Sequence, residues 1–311
     1  MNNVIHIAFL KPGLHTSMQD FGRSGWQAMG VPQGGAMDVV AHQAANWLVG
    51  NGRMTPTLEI TVLGPTIRFH GAAQVAITGA DMTPSLDGSP IDMWSCLYVD
   101  KGSTLNFGRL VSGARAYLAI RGKWSVENWL GSCSTLPGQQ SLLSANYIRQ
   151  GTTIEIEGTV SSVERKMPPQ FLLKMAHAKV IRLLRGPDYE LFESGFVTEF
   201  IETRNTVGKD ASRMGLRLLP PQVEFVQAHQ MISSGVMPGT VQITRSGQPI
   251  ILAADGPTTG GYYRVAQVIQ ADLHFLGQLK PGDEIDFEWV SLQEAYEAIA
   301  MLRDQLNFLQ A

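Results

Sequence analysis

Short runs of period-two hydrophobic alternation, each closed by turn residues, recur along most of this chain and constrain its fold more than any other feature. Thr66-Ile67-Arg68-Phe69, Gln74-Val75-Ala76-Ile77-Thr78, Arg115-Ala116-Tyr117-Leu118-Ala119-Ile120, Thr240-Val241-Gln242-Ile243-Thr244 and Pro249-Ile250-Ile251-Leu252 are too short for stable helices. Their spacing predicts strands of a barrel or sandwich. A second pattern, Gly followed by two polar residues and an alternating apolar pair, stands at Gly102-Ser103-Thr104-Leu105-Asn106-Phe107, Gly151-Thr152-Thr153-Ile154-Glu155-Ile156 and Gly282-Asp283-Glu284-Ile285-Asp286-Phe287. Each reads as a turn in which Gly supplies a permissive backbone angle before a half-buried strand.

Helices are fewer. One is expected between Asp38 and Gly50, with Val40, Ala44, Trp47 and Leu48 on one face, Asp38 as cap and Gly50 as stop. Another runs from Ser291 towards Leu309, opened by the capping box Ser291-Leu292-Gln293-Glu294 and striped by Leu292, Tyr296, Ile299, Leu302, Leu306 and Leu309. The polar, proline-containing stretch from Ser161 to Pro169 divides the chain into similar halves, so the expected domains are 1–165 and 166–311.

A hydrophobic content of 44% with 16% charged residues is that of a globular protein and excludes disorder as the main state. Net charge is -3 with the cations dispersed, which argues against nucleic acid as a partner. The opening residues lack a basic region followed by an apolar run, and no stretch reaches the roughly 18 apolar residues of a membrane span, so a cytoplasmic protein with no membrane partner is expected. Cys96 and Cys133 lack a C-x-x-C spacing and read as packed free thiols. His15, His42, His70, His177, His229 and His274 have no metal-ligand spacing, and no metal site is assigned.

Phosphate loop, G-x-G-x-x-G and H-E-x-x-H motifs are absent, and Gly131-Ser132-Cys133-Ser134-Thr135 does not match a nucleophile elbow. Lys174-Met175 carries only half of a biotin-attachment pattern and reads as a surface lysine. The residues that a packed core does not need concentrate elsewhere. Asp20 and Arg23 share a Gly-punctuated loop, where they either bind each other or leave Arg23 to clamp a substrate carboxylate. Gly34 and Gly35 lead into the helix start at Asp38, which suits either a bound anion or ordinary capping. Arg213 and Arg217, four apart, converge on an anion or form a solvated face. Asp255, Thr258, Thr259, Gly260, Gly261 and Tyr262 make the densest polar loop, either a tight capped turn or a set of hydroxyl and amide donors for an oxyanion with Asp255 as base or metal ligand.

Taken in order, these segments resemble the family of 5-oxoprolinase C subunits, also called allophanate hydrolase subunit 2 or biotin-dependent carboxyltransferase-like proteins. The matching pieces run from Thr16 to Gly25, Gly35 to Asp38, Leu48 to Asn51, Leu58 to Thr61, Thr78 to Ala80, Arg115 to Ala119, Gly131 to Thr135, Arg213 to Leu218, Gly247 to Ile250 and Thr258 to Tyr262. Departures stand at Gly256, Pro257 and Tyr263, at Ser212 and at Lys123. The resemblance implies a mostly β protein of two cyclophilin-like β-barrel domains with a few helices, including one at the C-terminus. It further implies one component of an ATP-dependent 5-oxoprolinase, working with the B and A subunits of that enzyme on a small-molecule substrate, with ATP and Mg2+ engaged at the level of the complex and no biotin on this chain. In that picture Arg23, Arg213 and Arg217 hold carboxylate and phosphoryl oxygens, while Asp255 with Thr258 and Thr259 orients the reacting group. The alternatives are carboxyl transfer from carboxybiotin to a urea- or amide-like acceptor, and a regulatory role in binding a kinase inhibitor that resembles the B subunit.

Overall fold

The computed structural model describes residues 3–139, 141–158, 160–162, 164–174, 180–219 and 231–310. The chain divides into two compact units, Met1–Arg23 with Gly34–Ala176 and Leu306–Ala311, and Ser24–Gln33 with His177–Gln305.

Two sheets enclose the core of the first unit. A seven-stranded sheet has the order Lys123–Trp124, Thr153–Gly158, Asn3–Lys11, Thr66–Phe69, Thr104–Asn106, Ser85–Leu86, Ser89–Pro90. A five-stranded sheet has the order His15–Gln19, Thr57–Thr61, Ser112–Ile120, Ala73–Asp81, Cys96–Val99. Alternate residues of each strand, among them Ile5, Ile7 and Phe9 from one sheet and Leu58, Ile60, Leu118 and Ile120 from the other, meet in one apolar core.

The second unit is built on a closed barrel with the order Val180–Arg185, Tyr263–Val268, Thr240–Ile243, Pro249–Leu252, Gly215–Leu219, Asn205–Val207, Glu284–Trp289. A parallel pairing of Val180–Arg185 with Glu284–Trp289 closes it. Leu183, Leu216, Leu218, Val241, Ile243, Ile251 and Val265 fill its interior. The strand-rich class expected from the alternation is therefore the one observed.

Gly102, Gly151 and Gly282 of the recurring pattern have φ of 95, 85 and 87°, each just ahead of a strand. That region costs other residues free energy, which explains why Gly opens the pattern each time.

Helix Val39–Val49 starts where Asp38 Oδ1 accepts the amides of Val40 and Ala41 at 3.1 and 2.9 Å, and stops at Gly50 with φ 71°. It is buried on more than the expected face, since Ala41, His42, Ala45 and Asn46 are also enclosed. Trp47 is only half-buried, its ring 4.8 Å from the Arg165 guanidinium and 5.3 Å from the Phe308 ring.

The capping box forms reciprocally before helix Leu292–Leu306: Ser291 N donates to Glu294 Oε2 at 2.7 Å and Glu294 N to Ser291 Oγ at 3.2 Å. The stripe needs correction at its first turn, because Leu292 and Tyr296 are 58% and 62% exposed. Ala298, with Ile299 and Leu302, packs instead on Ile269 and Ala271.

Candidate functional site

In the first unit, strand His15–Gln19 delivers Asp20 into the segment Ser132-Cys133-Ser134. Oδ1 accepts from the hydroxyls of Ser132 and Ser134, each at 2.6 Å, and from Gly22 N at 2.7 Å. Oδ2 accepts from Cys133 N at 2.9 Å and from the Cys133 thiol at 3.3 Å. Burial pushes this carboxyl up, but the donors outweigh it and hold it below the ordinary aspartate range. Burial and the Asp20 charge in turn hold the Cys133 thiol far above its usual value, so it carries no thiolate.

Arg23 is 1% exposed and donates from Nη2 to the carbonyl of the same Ser134, beside the Trp129 ring at 5.4 Å. Asp20 and Arg23 thus fasten one loop to another, and the buried guanidinium faces protein carbonyls.

The Gly34-Gly35 turn is equally committed. A Cβ at Gly35 would stand 2.8 Å from Gly22 N and Phe21 C, so the two loops lie backbone against backbone. Ala36 N donates to the Asp20 carbonyl at 2.8 Å. Met37 N donates to Glu59 Oε2 at 2.8 Å, and Asp38 N to the Tyr117 hydroxyl at 2.7 Å. That hydroxyl itself donates to Glu59 Oε2 at 2.7 Å. The anions at this helix start are the protein's own Asp38 and the fully buried Glu59. His42, one turn on, shares a 2.9 Å hydrogen bond through Nδ1 with Thr57 Oγ1, and burial pushes its pKa down to about 4 against the raising effect of Asp20.

The second unit brings Arg213 and Asp255 together. Arg213 Nε and Nη2 donate to Asp255 Oδ2 and Oδ1 at 2.6 and 2.8 Å, both side chains being buried. Asp255 N donates to the Arg213 carbonyl at 2.9 Å, completing a backbone and side-chain clasp. Ser212 accepts from Met214 N through Oγ at 3.2 Å and so caps the turn.

Downstream of this clasp, Thr259–Gly260 pairs antiparallel with Ser234–Gly235, and Val236 N donates to the Thr258 carbonyl at 3.0 Å. Thr258 is half-buried, while Thr259, Gly261 and Tyr262 are exposed. The hydroxyls of Thr258 and Thr259 have no partner among the described residues. Arg217 points outward from strand Gly215–Leu219 and is exposed, between Leu216 and Leu218 that face the core. Arg213 therefore serves Asp255, and Arg217 is the accessible cation of the pair.

Each of these neighbourhoods belongs to one unit, the Asp20 cluster to the first and the Asp255 loop to the second. Glu59, Asp188 and Gln242 were not singled out from the sequence, and Ser132 and Ser134 were weighed only as part of a nucleophile elbow that does not match. Asp188 grips Arg264 through Oδ2 and Oδ1, at 2.8 Å from Nε and 3.2 Å from Nη2, directly after the Thr258–Tyr263 run. The signal available was the alternation of Ser132 and Ser134 around Cys133. The described residues contain no group of three His, Cys, Asp or Glu that could hold a metal. No described helix is long and apolar enough to cross a membrane. His177, His229 and Met175 lie outside the described residues.

The sequence and the fold have known counterparts. The model of the carboxyltransferase domain, subdomain A and B, matches residues 29–289. The chain is 34% identical over 293 residues to the 5-oxoprolinase C subunit of Escherichia coli (strain K12), covering 94% of each protein. It is 33% identical over 305 residues to urea amidolyase of Saccharomyces cerevisiae, covering 91% of this chain but 16% of that one. The crystal structure of Kluyveromyces lactis urea carboxylase superposes with a TM-score of 0.90 at 29% identity, over 98% of this chain and 29% of that one.

Proposed function

The chain belongs to the family of carboxyltransferase domains, subdomain A and B, and from that premise we propose that it is the C subunit of an ATP-dependent 5-oxoprolinase, opening 5-oxoproline to L-glutamate with the B and A subunits. The observation that carries the reading is the 34% identity to the Escherichia coli C subunit, sustained along 94% of both chains.

A lactam is a resonance-stabilised amide. Transfer of the terminal phosphoryl group of ATP to the lactam oxygen, with release of ADP, makes the ring carbon electrophilic; one water adds there and the C–N bond breaks as nitrogen takes a proton, leaving an acyl phosphate that a second water hydrolyses to glutamate and phosphate. The developing negative oxygen needs donors already in place. Thr258 and Thr259 supply two hydroxyls without partners among the described residues, and Gly260 and Gly261 let the backbone approach closely. Arg217 offers an exposed cation for the substrate carboxylate. Arg213 and Asp255 act by positioning: their ion pair ties the start of the Thr258–Tyr262 loop to the turn at Met214.

Both Asp255 oxygens are committed to Arg213, which argues against that carboxylate as a metal ligand, and ATP with its metal is assigned to the assembled complex. Biotin is not assigned to this chain. Carboxyl transfer to a urea-like acceptor is the second reading, favoured by the close superposition on urea carboxylase. A purely regulatory association with a protein like the B subunit is the third.

ATP-dependent glutamate release from 5-oxoproline tests the proposal, using this chain co-purified with the B subunit, supplemented with the A subunit, and each component omitted in turn. Release that needs all three and ignores avidin supports it. Avidin-sensitive transfer supports the second reading, and stoichiometric binding without turnover the third.

A further inference from the structure

Strand Thr240–Ile243 alternates strictly: Val241 and Ile243 enter the barrel core, and Gln242 points the other way. Cross-strand register sets Gln242 in a row on the outer face, Arg217 opposite Ile250, Ile250 opposite Gln242, and Gln242 opposite Arg264. The ladder with Tyr263–Val268 shifts register at Gln242, a bulge of the kind that re-aims a side chain.

The side chain itself is enclosed. Gln242 is 3% exposed, Val236 packs with Ile250 and Leu252 beside it, and the ribbon of Ser234–Gly235 with Thr259–Gly260 borders it. A Cβ at Gly260 would lie 2.5 Å from Gln242 Nε2, so the glycine backbone rests directly on the carboxamide and a larger residue there would push that side chain aside. Among the described residues Nε2 donates to nothing, and neither does the buried hydroxyl of Ser234, which pairs with Gly260 in the ribbon. A buried donor without an acceptor is costly, and two against one glycine call for a common explanation.

We infer that Gln242, with Ser234, reads the amide edge of the substrate. A lactam and a urea each present C=O and N–H side by side, and a primary carboxamide is complementary to that edge: Nε2 donates to the carbonyl while Oε1 accepts from the N–H. Ser234 supplies a second donor to the same oxygen. Because the ribbon covers Gln242, binding lifts Gly260 from the carboxamide, which makes the four-residue ribbon the moving part. The inference rests on the reading that the Thr258–Tyr262 loop faces the substrate.

The test observes the side-chain NH2 resonances of Gln242 in the 15N-labelled full chain, alone and with the unlabelled B subunit, identified by their loss in Gln242→Leu. The probes are 5-oxoproline, 2-pyrrolidinone, urea and L-proline, the last keeping ring and carboxylate but lacking the carbonyl. The expected result is a shift with the first three and none with L-proline, and at least about tenfold weaker 5-oxoproline binding in Gln242→Leu. Gln242→Glu, of the same shape but without the two donors, should weaken binding likewise and serves if the leucine variant fails to fold; Ser234→Ala should weaken it less. Unmoved resonances, or unchanged affinity in a folded Gln242→Glu, would overturn the inference. Normal glutamate release by the Gln242→Glu complex would overturn it while leaving the oxoprolinase reading intact. Shifted resonances without any release from the wild-type complex would do the reverse.

Discussion

Arg213 and Asp255, 42 residues apart in the chain, meet in a two-pronged buried ion pair with N–O separations of 2.6 and 2.8 Å. Arg213→Ala leaves a buried carboxylate unpaired and should cost about 3–5 kcal/mol of unfolding free energy. Asp255→Asn keeps the shape but removes the charge, and costs less. Both should lose turnover while the complex still assembles, because the loop they hold is displaced. Urea denaturation with size-exclusion chromatography checks this; full activity in both variants contradicts the positioning role.

Asp20 makes acid sensitivity local. Its folded-state carboxyl lies below the ordinary value, so its contribution to stability is complete above the unfolded aspartate pKa of about 3.9 and is lost as pH falls through the folded value. Asp20→Asn should abolish that part of the acid dependence and lower stability at neutral pH. A pH series of denaturation midpoints is the check, and parallel curves for the two proteins contradict the assignment.

His42 acts in a higher window. Folding pushes its pKa from 6.5 down to about 4, so between those values the unfolded chain binds a proton that the folded chain does not. Stability should therefore fall as pH drops from about 6.5 to about 4, by about 3 kcal/mol in all, and His42→Gln should flatten that slope. NMR titration of the imidazole reads the pKa directly; a value near 6.5 in the folded protein contradicts the burial argument.

Much of the fold was legible because it follows from local rules. Alternation located Thr66–Phe69 and Pro249–Leu252, Asp38 and Gly50 bounded a helix, and Ser291 with Glu294 opened another. Leu292 and Tyr296 continue the apolar period yet lie exposed, since periodicity says which residues share a face and not how far a neighbouring surface extends.

The candidate site was legible as loops but not as partnerships. Asp20 sits by Arg23 in sequence, yet its carboxylate is met by hydroxyls 112 and 114 positions away, brought there by sheet topology. Arg213 and Arg217 looked like a pair, but one lies in a turn facing Asp255 and the other on a strand facing outward. Gln242 was visible only as one polar beat in a strand, because what marks it is a register shift and a glycine from another segment.

In the proposed reaction the Thr258–Tyr262 loop donates to the reacting oxygen. The most direct test is 5-oxoproline-dependent glutamate release by the reconstituted complex carrying Thr258→Val with Thr259→Val, substitutions that keep side-chain volume and remove both hydroxyls. The expected result is assembly and stability near those of the wild type, with a kcat lower by about 100-fold or more. Wild-type kcat in that variant would contradict it.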